Sequence, residues 1–257
     1  MSRLKNLFSK KSNNILNIYC TAGFPQLNST LPVMKALQDS GVDTIELGMP
    51  YSDPLADGET IQHSSTIALQ NGMTIAKLFE QLKNMRAEIT IPVVLMGYMN
   101  PILQYGFEKF CADAAKVGID GLILPDMPVH EFEKNYQSVI NKYNLNFVFL
   151  VTPETSEERV RLLDSLSSGF LYAVASSSTT GNENDFSVVE QYLQRLQGYK
   201  LKNPVFVGFG IKDKKSFDSV CKKANGAFIG SAFVKALEES PEREIEAAKE
   251  FVQTIIG

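Results

Sequence analysis

The sequence has no tryptophan, only two histidines and only three cysteines among its 257 residues. Cys20, Cys111 and Cys221 are odd in number, lie far apart and lack the spacing of metal ligands, so we expect reduced, mostly buried thiols in a cytoplasmic protein. The two histidines, His63 and His130, stand in polar segments that begin helices, which favours a surface position over a catalytic one. This composition disfavours a metal centre.

Long hydrophobic runs and concentrated positive charge are missing as well. No apolar run approaches the roughly 20 residues that a membrane span needs. The N-terminal segment lacks the apolar core and cleavage site of a secretory signal, and we expect a short amphipathic helix there. The formal net charge is −4, and lysines and arginines are scattered, which argues against a nucleic-acid-binding surface. With 44% hydrophobic and 21% charged residues, the chain is typical of a soluble globular enzyme.

What the sequence does contain is a regular alternation of strand and helix signals. Apolar segments predict strands at 15–21, 43–48, 92–97, 121–124, 146–151, 170–175, 204–207 and 226–229, with a helical segment after each. Continuous apolar strands indicate a parallel sheet buried on both faces. Eight such units favour a (β/α)8 TIM barrel, built as a single α/β domain over residues 1–257 with an extra N-terminal helix and a short helix after the last strand. A doubly wound sheet is the alternative, but no Gly-x-Gly-x-x-Gly follows the first strand.

Two acids stand out at the end of the second predicted strand. Alternation along 43–48 places Glu46 at the strand tip among small neighbours, and Asp57 follows on a loop interrupted by prolines and a glycine. A strand-end acid with a second acid on the next loop suits acid–base chemistry at the C-terminal end of a barrel. The alternative is that Glu46 is a paired core charge and Asp57 a helix cap.

Glycines after the last two strands predict an anion site. Gly210 follows the seventh strand, and Gly230-Ser231 follows the eighth and opens a short helix, whose N-terminus offers free N–H groups. These two loops are the usual phosphate site of a TIM barrel, and Gly181 on the sixth loop adds a further N–H. The alternative is that they are plain turn glycines.

The sixth strand carries one more candidate, Tyr172, which alternation turns inward. Its hydroxyl would contact a carboxylate, or it would be a core tyrosine with a backbone partner. No lysine stands at an inward strand position, which disfavours a Schiff-base aldolase. Acid–base cleavage of a carbon–carbon bond, or proton transfer, in a small phosphate ester remains.

These segments together resemble one family, the tryptophan synthase α subunit. The resemblance rests on long motifs spread over the whole chain: Glu46-Leu47-Gly48-Met49-Pro50-Tyr51-Ser52-Asp53-Pro54-Leu55-Ala56-Asp57-Gly58, Thr21-Ala22-Gly23-Phe24-Pro25, Met96-Gly97-Tyr98-Met99-Asn100-Pro101, Leu124-Pro125-Asp126-Met127-Pro128, Gly208-Phe209-Gly210-Ile211 and Gly230-Ser231-Ala232.

The resemblance implies cleavage of indole-3-glycerol phosphate to indole and glyceraldehyde 3-phosphate in the cytoplasm. It implies that Glu46 is the catalytic acid–base group and that Asp57 holds the indole N–H. Residues that match the family's substrate-binding groups are Tyr172, Thr180, Gly181, Gly210, Gly230 and Ser231. It also implies an α2β2 complex with a β subunit that carries pyridoxal phosphate, while this chain needs no cofactor.

The chain departs from the family pattern at two positions. Glu59 stands where the family often has proline, and Ser176 stands where it usually has arginine. The loop 176–185 is small and polar, so we expect it to be mobile and to close over the substrate with help from the β subunit. Three alternatives are a stand-alone lyase, a catalytically silent activating subunit and a sugar-phosphate epimerase. Retention of both acids speaks against the second, and the absence of metal-ligating strand-end residues against the third.

Overall fold

The computed structural model describes residues 2–174, 185–208 and 210–257. Within these ranges one sheet of nine parallel strand segments is seen, in the order β5-β4-β3-β2-β1-β9-β8-β7-β6. The segments are β1 (Ile15–Thr21), β2 (Thr44–Gly48), β3 (Val93–Met96), β4 (Gly121–Ile123), β5 (Asn146–Val148), β6 (Leu150–Val151), β7 (Leu171–Val174), β8 (Val205–Gly208) and β9 (Gly226–Ile229).

The sheet closes into a barrel through the segment 146–151. β5 pairs with β4, and β6, which begins after Phe149, pairs with β7. At the break, the backbone N–H of Tyr172 donates to the carbonyl oxygen of Phe149 at 3.0 Å. One stretch of chain therefore contacts both of its neighbours, and the predicted TIM barrel is confirmed. The strand predicted as a single segment over 146–151 is divided in two because Phe149 lies where the pairing changes from one neighbour to the other.

Helices alternate with the strands along the described chain. They are α1 (Arg3–Lys10), α2 (Thr30–Asp39), α3 (Glu59–Gln70), α4 (Ile75–Gln81), α5 (Met99–Tyr105), α6 (Phe107–Val117), α7 (Val129–Glu131), α8 (Gln137–Lys142), α9 (Glu157–Leu166), α10 (Asp185–Gly198), α11 (Lys214–Cys221), α12 (Ser231–Glu238) and α13 (Glu244–Ile256). A 3₁₀ turn at Leu82–Ala87 extends α4, and a π-helical turn at Phe132–Tyr136 joins α7 to α8.

Most helices lie where the sequence places them. The helical segment predicted after the third strand is matched by α6, whose C-cap Gly118 has φ of +88°, a conformation that a β-carbon disfavours. The helix α5 is not predicted, because a proline at position 101 is read from the sequence as a helix breaker. In the structure Pro101 lies in the first turn, where its missing N–H would have no partner within the helix. Glu59 begins α3, a position that favours an acid as well as a proline.

Most residues of the barrel strands are buried on both faces. All seven residues of β1 and all five of β2 are buried, as expected for strands covered by helices outside and filled with side chains inside. In the register of these two strands Tyr19 lies beside Glu46, and Asn17 lies beside Thr44. Tyr19 and Glu46 therefore face the same side of the sheet at the same level.

The predicted N-terminal helix is present and packs at the end of the barrel where the strands begin. Leu4 in α1 is fully buried. Asp120, directly before β4, accepts from Arg3 at 3.1 Å and from Arg86 at 2.6 Å. This face of a TIM barrel contributes stability, which leaves the opposite face for the site.

Candidate active site

A cavity of about 730 Å³ lies at the C-terminal ends of the strands. It contains six of the predicted site residues: Glu46, Asp57, Tyr172, Gly210, Gly230 and Ser231. The other two, Thr180 and Gly181, lie outside the described residues, as do Ser176, most of the predicted mobile loop and Phe209.

Glu46 sits in β2 with only 3% of its surface exposed. Burial raises the pKa of its carboxyl from 4.5 to about 8, and the negative charge of Asp57 adds to the rise. None of the ion pairs formed by the described residues includes Glu46. Glu46 is therefore not a paired core charge, and its carboxyl holds a proton at neutral pH.

Asp57 lies half-buried on the loop after β2. The N-cap of α3 is Gly58, and no side chain caps that helix, so Asp57 is not a helix cap. Burial raises the pKa of the Asp57 carboxyl to about 6. The Tyr98 hydroxyl donates a hydrogen bond to this carboxyl, which lowers its pKa and so limits the increase. The Tyr98 oxygen in turn accepts the backbone N–H of Ala56 at 3.1 Å, which fixes this loop beside the cavity.

The two carboxyl groups therefore differ in protonation at pH 7. Glu46 is largely neutral and can give a proton, whereas Asp57 is largely ionised and can stabilise positive charge. Two carboxyl groups whose surroundings push their pKa values apart are the usual arrangement for acid–base chemistry.

Tyr172 turns inward, as the alternation of its strand predicts. Its ring stacks on Phe228 with centroids 4.1 Å apart and planes 16° from parallel. Burial raises the pKa of its phenol well above 10, so the hydroxyl is neutral. A β-carbon on Gly208 would lie 2.2 Å from the Tyr172 hydroxyl. Gly208, the last residue of β8, therefore makes room for this tyrosine.

The two glycines proposed to bind phosphate differ in whether the fold itself needs a glycine at that position. Gly210 has φ of +73°, so its backbone conformation alone favours glycine. Gly230 has φ of −117°, and a β-carbon there would lie 3.5 Å from the Tyr19 Cβ, an ordinary contact. Neither backbone nor packing requires a glycine at 230. The missing side chain instead leaves space at the N-terminus of α12, beside Ser231, where an anion is stabilised.

Two lysines at the same end of the cavity were missed by the sequence reasoning. Lys212 follows the loop after β8, and Lys235 lies four residues after Ser231, hence on the same side of α12. Both are exposed, and neither forms an ion pair with another described residue. The cavity thus has two carboxyl groups at one end and two cations at the other. The spacing of Lys235 from Ser231 is the signal that points to it.

Other residues of interest in the sequence lie away from this cavity. The His63 side chain is exposed and its Nε2 lies 2.9 Å from Oε1 of Glu238, and His130 is also exposed. The three cysteines are buried free thiols, as expected. Among the described residues no group of three or more His, Cys, Asp or Glu side chains is placed to hold a metal ion. In the described part of the chain, no helix has the length and apolarity to cross a membrane.

Sequence comparison finds relatives along nearly the whole chain. A family model described as tryptophan synthase alpha chain matches residues 4–255. The tryptophan synthase alpha chain of Flavobacterium johnsoniae is 51% identical over 247 residues, which cover 96% of each chain. That of Parabacteroides distasonis is 46% identical over 257 residues, covering 97% of this chain and all of the relative.

Structural comparison gives the same family. The alpha subunit of Legionella pneumophila tryptophan synthase superposes with a TM-score of 0.91 at 31% identity, covering 99% of this chain and 97% of the other. A mutant alpha subunit from Pyrococcus furiosus gives a TM-score of 0.86 at 36% identity, covering 96% and 99%. The aminoacrylate-bound tryptophan synthase of M. tuberculosis gives 0.86 at 29%, covering 99% and 100%.

Proposed function

The chain belongs to the tryptophan synthase alpha chain family, and we propose that Glu46 and Asp57 perform the family's reaction in it. The chain is the lyase subunit that cleaves indole-3-glycerol phosphate into indole and glyceraldehyde 3-phosphate in tryptophan biosynthesis. It works with a beta subunit, which receives the indole. The observation that carries the residue assignment is the pair of carboxyl groups with different pKa values in one cavity.

Glu46 acts first as an acid and then as a base. Its proton passes to the ring carbon that bears the glycerol chain, and the carbon–carbon bond then breaks. The hydroxyl on the adjacent chain carbon loses its proton to the Glu46 carboxylate and becomes the aldehyde. Glu46 gives one proton and takes one back, so it ends the reaction protonated, as it began. A carboxyl with a pKa near neutrality suits both steps.

Asp57 stabilises the intermediate state of the ring. Protonation of the ring carbon places positive charge on the indole nitrogen, whose N–H can hydrogen-bond a carboxylate. Asp57 is ionised above a pH of about 6, so at neutral pH it offers the negative charge that this state requires. The Tyr98 hydroxyl and the Ala56 backbone N–H hold the loop that carries it.

The far end of the cavity is proposed to bind the phosphate. The N-terminus of α12 at Gly230 and Ser231 offers N–H groups, and the loop at Gly210 lies in the same cavity. Thr180 and Gly181 are assigned to substrate binding on the family motif alone. Tyr172 is assigned on that motif together with its inward position.

The complex and its location complete the proposal. The chain is proposed to form an α2β2 complex in the cytoplasm, with pyridoxal phosphate held by the beta subunit and no cofactor in this chain. The acid–base pair supports the last point alone, because the cleavage moves protons and transfers no hydride or electron.

The assignment of Glu46 is tested by Glu46→Gln. Indole release should fall by at least the ~10²–10⁴-fold that a lost acid–base group typically costs, while binding of glycerol 3-phosphate stays intact. The matched control is Glu80→Gln, a change at an exposed glutamate of α4 outside the cavity. Near-normal turnover in Glu46→Gln would rule out the assignment.

A further inference from the structure

Tyr19 forms the wall of the cavity between its two ends. At the phosphate end, a β-carbon on Gly230 would lie 3.5 Å from the Tyr19 Cβ. At the acid end, a β-carbon on Gly48 would lie 2.0 Å from the Tyr19 hydroxyl oxygen, so that hydroxyl occupies the space above Gly48 in β2. The tyrosine therefore runs from the proposed phosphate site toward the C-terminal end of β2, where its hydroxyl lies two residues beyond Glu46.

Two buried hydroxyl groups hold the phenol from behind. The Thr21 hydroxyl donates to the Tyr19 oxygen at 3.3 Å, and Thr21 Oγ1 lies 2.7 Å from the Ser64 hydroxyl of α3. Thr21 is 2% and Ser64 0% exposed, so no bulk water competes with these contacts. Ser64 also donates to the backbone carbonyl of Ile61 at 2.8 Å, so the Thr21 and Ser64 protons cannot serve all three contacts at once. When the Thr21 proton lies on the Tyr19 oxygen, the Tyr19 proton is free for an acceptor in the cavity.

The phenol remains a donor throughout the pH range of the enzyme. Burial raises its pKa well above 10, and the charges of Asp57 and Glu46 add to the rise. A neutral hydroxyl in a buried wall needs a hydrogen-bond acceptor when the cavity fills, because an unpaired buried polar group is costly. In indole-3-glycerol phosphate, the atoms between the ring and the phosphate are a three-carbon chain with two hydroxyl groups.

We propose that Tyr19 is a further substrate-binding residue, whose hydroxyl donates a hydrogen bond to a hydroxyl of this chain. Thr21 and Ser64 are positioning residues that orient it. The inference rests on the proposed function, because it takes indole-3-glycerol phosphate as the ligand. Tyr19 would then contribute to substrate specificity for the hydroxyl groups of the ligand, because a site that hydrogen-bonds a substrate hydroxyl rejects the analogue that lacks it.

The test removes the phenol hydroxyl with Tyr19→Phe and compares two ligands. One is indole-3-glycerol phosphate, measured at equilibrium in a Glu46→Gln background. The other is indole-3-propanol phosphate, which has the same ring and phosphate but no chain hydroxyl. The Kd of the first should rise about 3- to 10-fold, as for one lost neutral hydrogen bond, and that of the second should stay within about twofold. Equal weakening of both ligands, or of neither, would overturn the proposal.

Two further variants and a second ligand pair separate the possible causes. Thr21→Val keeps the side-chain shape and should show a smaller loss for the hydroxylated ligand only, and no loss there would remove Thr21 from the proposal. Tyr192→Phe, at a buried tyrosine of α10 outside the cavity, should change neither Kd. On the parent chain, Tyr19→Phe should weaken glycerol 3-phosphate but not propyl phosphate. Neither of these two ligands is cleaved, so this binding result tests the role of Tyr19 whether or not Glu46 is the catalytic group.

Discussion

Replacing Glu46 by glutamine should make the stability of the fold less dependent on pH while it removes activity. In the folded chain the Glu46 carboxyl has a pKa of about 8, against an ordinary value of 4.5. Between these values the folded state binds more protons than the unfolded state, so the free energy of unfolding falls as pH rises from about 4.5 to about 8. At 1.36 kcal/mol for each pKa unit, ionising this group costs the fold at most roughly 5 kcal/mol above pH 8, and about 1 kcal/mol at pH 5.

Glutamine has the same shape and no charge, so the variant should lose this slope. Urea unfolding of parent and variant at pH 5 and pH 8 measures it. The difference in the free energy of unfolding, variant minus parent, should increase by roughly 3 kcal/mol between the two pH values. Any constant cost of burying the amide cancels in this comparison. Glu80→Gln, at an exposed carboxyl whose pKa Lys77 lowers, should show no such gain. A difference that does not change with pH would mean that Glu46 ionises as an ordinary glutamate and cannot serve as the acid at pH 7.

Three other changes test the rest of the cavity. Asp57→Asn should slow indole release by about 10²-fold or more without a matching loss in melting temperature, because a neutral amide cannot balance charge on the ring nitrogen; lost stability with a kept rate would mean a structural role. Gly230→Asp should abolish binding of glycerol 3-phosphate, because it places negative charge at the N-terminus of α12. Calorimetry measures this binding, and unchanged binding would show that the phosphate does not lie at this helix end. Lys235→Met should raise the KM for indole-3-glycerol phosphate a few-fold and flatten its salt dependence, whereas Lys249→Met, at an exposed lysine of α13, should leave both unchanged; identical behaviour of the two variants would remove Lys235 from the site.

The barrel could be predicted because its strands are continuous apolar runs, a local signal. The break at Phe149 could not, since it depends on which neighbouring strand each half of 146–151 contacts. The helix Met99–Tyr105 was missed because Pro101 is unfavourable in a helix interior but not in a first turn. That residues 1–257 form a single domain stays a prediction.

The sequence predicted the site residues that lie in recognisable motifs or directly after predicted strands, and not the others. Glu46 and Asp57 lie in one recognisable stretch of sequence. Tyr19 lies in β1 and Tyr98 at the start of α5, and only the register of the barrel and the path of the loop after β2 bring them beside the acids. Gly208 shows the limit of reading glycines from sequence, because its role depends on the distant Tyr172.

This chain is proposed to cleave indole-3-glycerol phosphate with its own acid–base pair. The most direct measurement is indole release from that substrate by the purified chain, without and with the beta subunit. We expect indole and glyceraldehyde 3-phosphate in equal amounts from the chain alone, a faster rate with the beta subunit, and loss of both rates in Glu46→Gln. No indole under either condition, or undiminished release by Glu46→Gln, would contradict it.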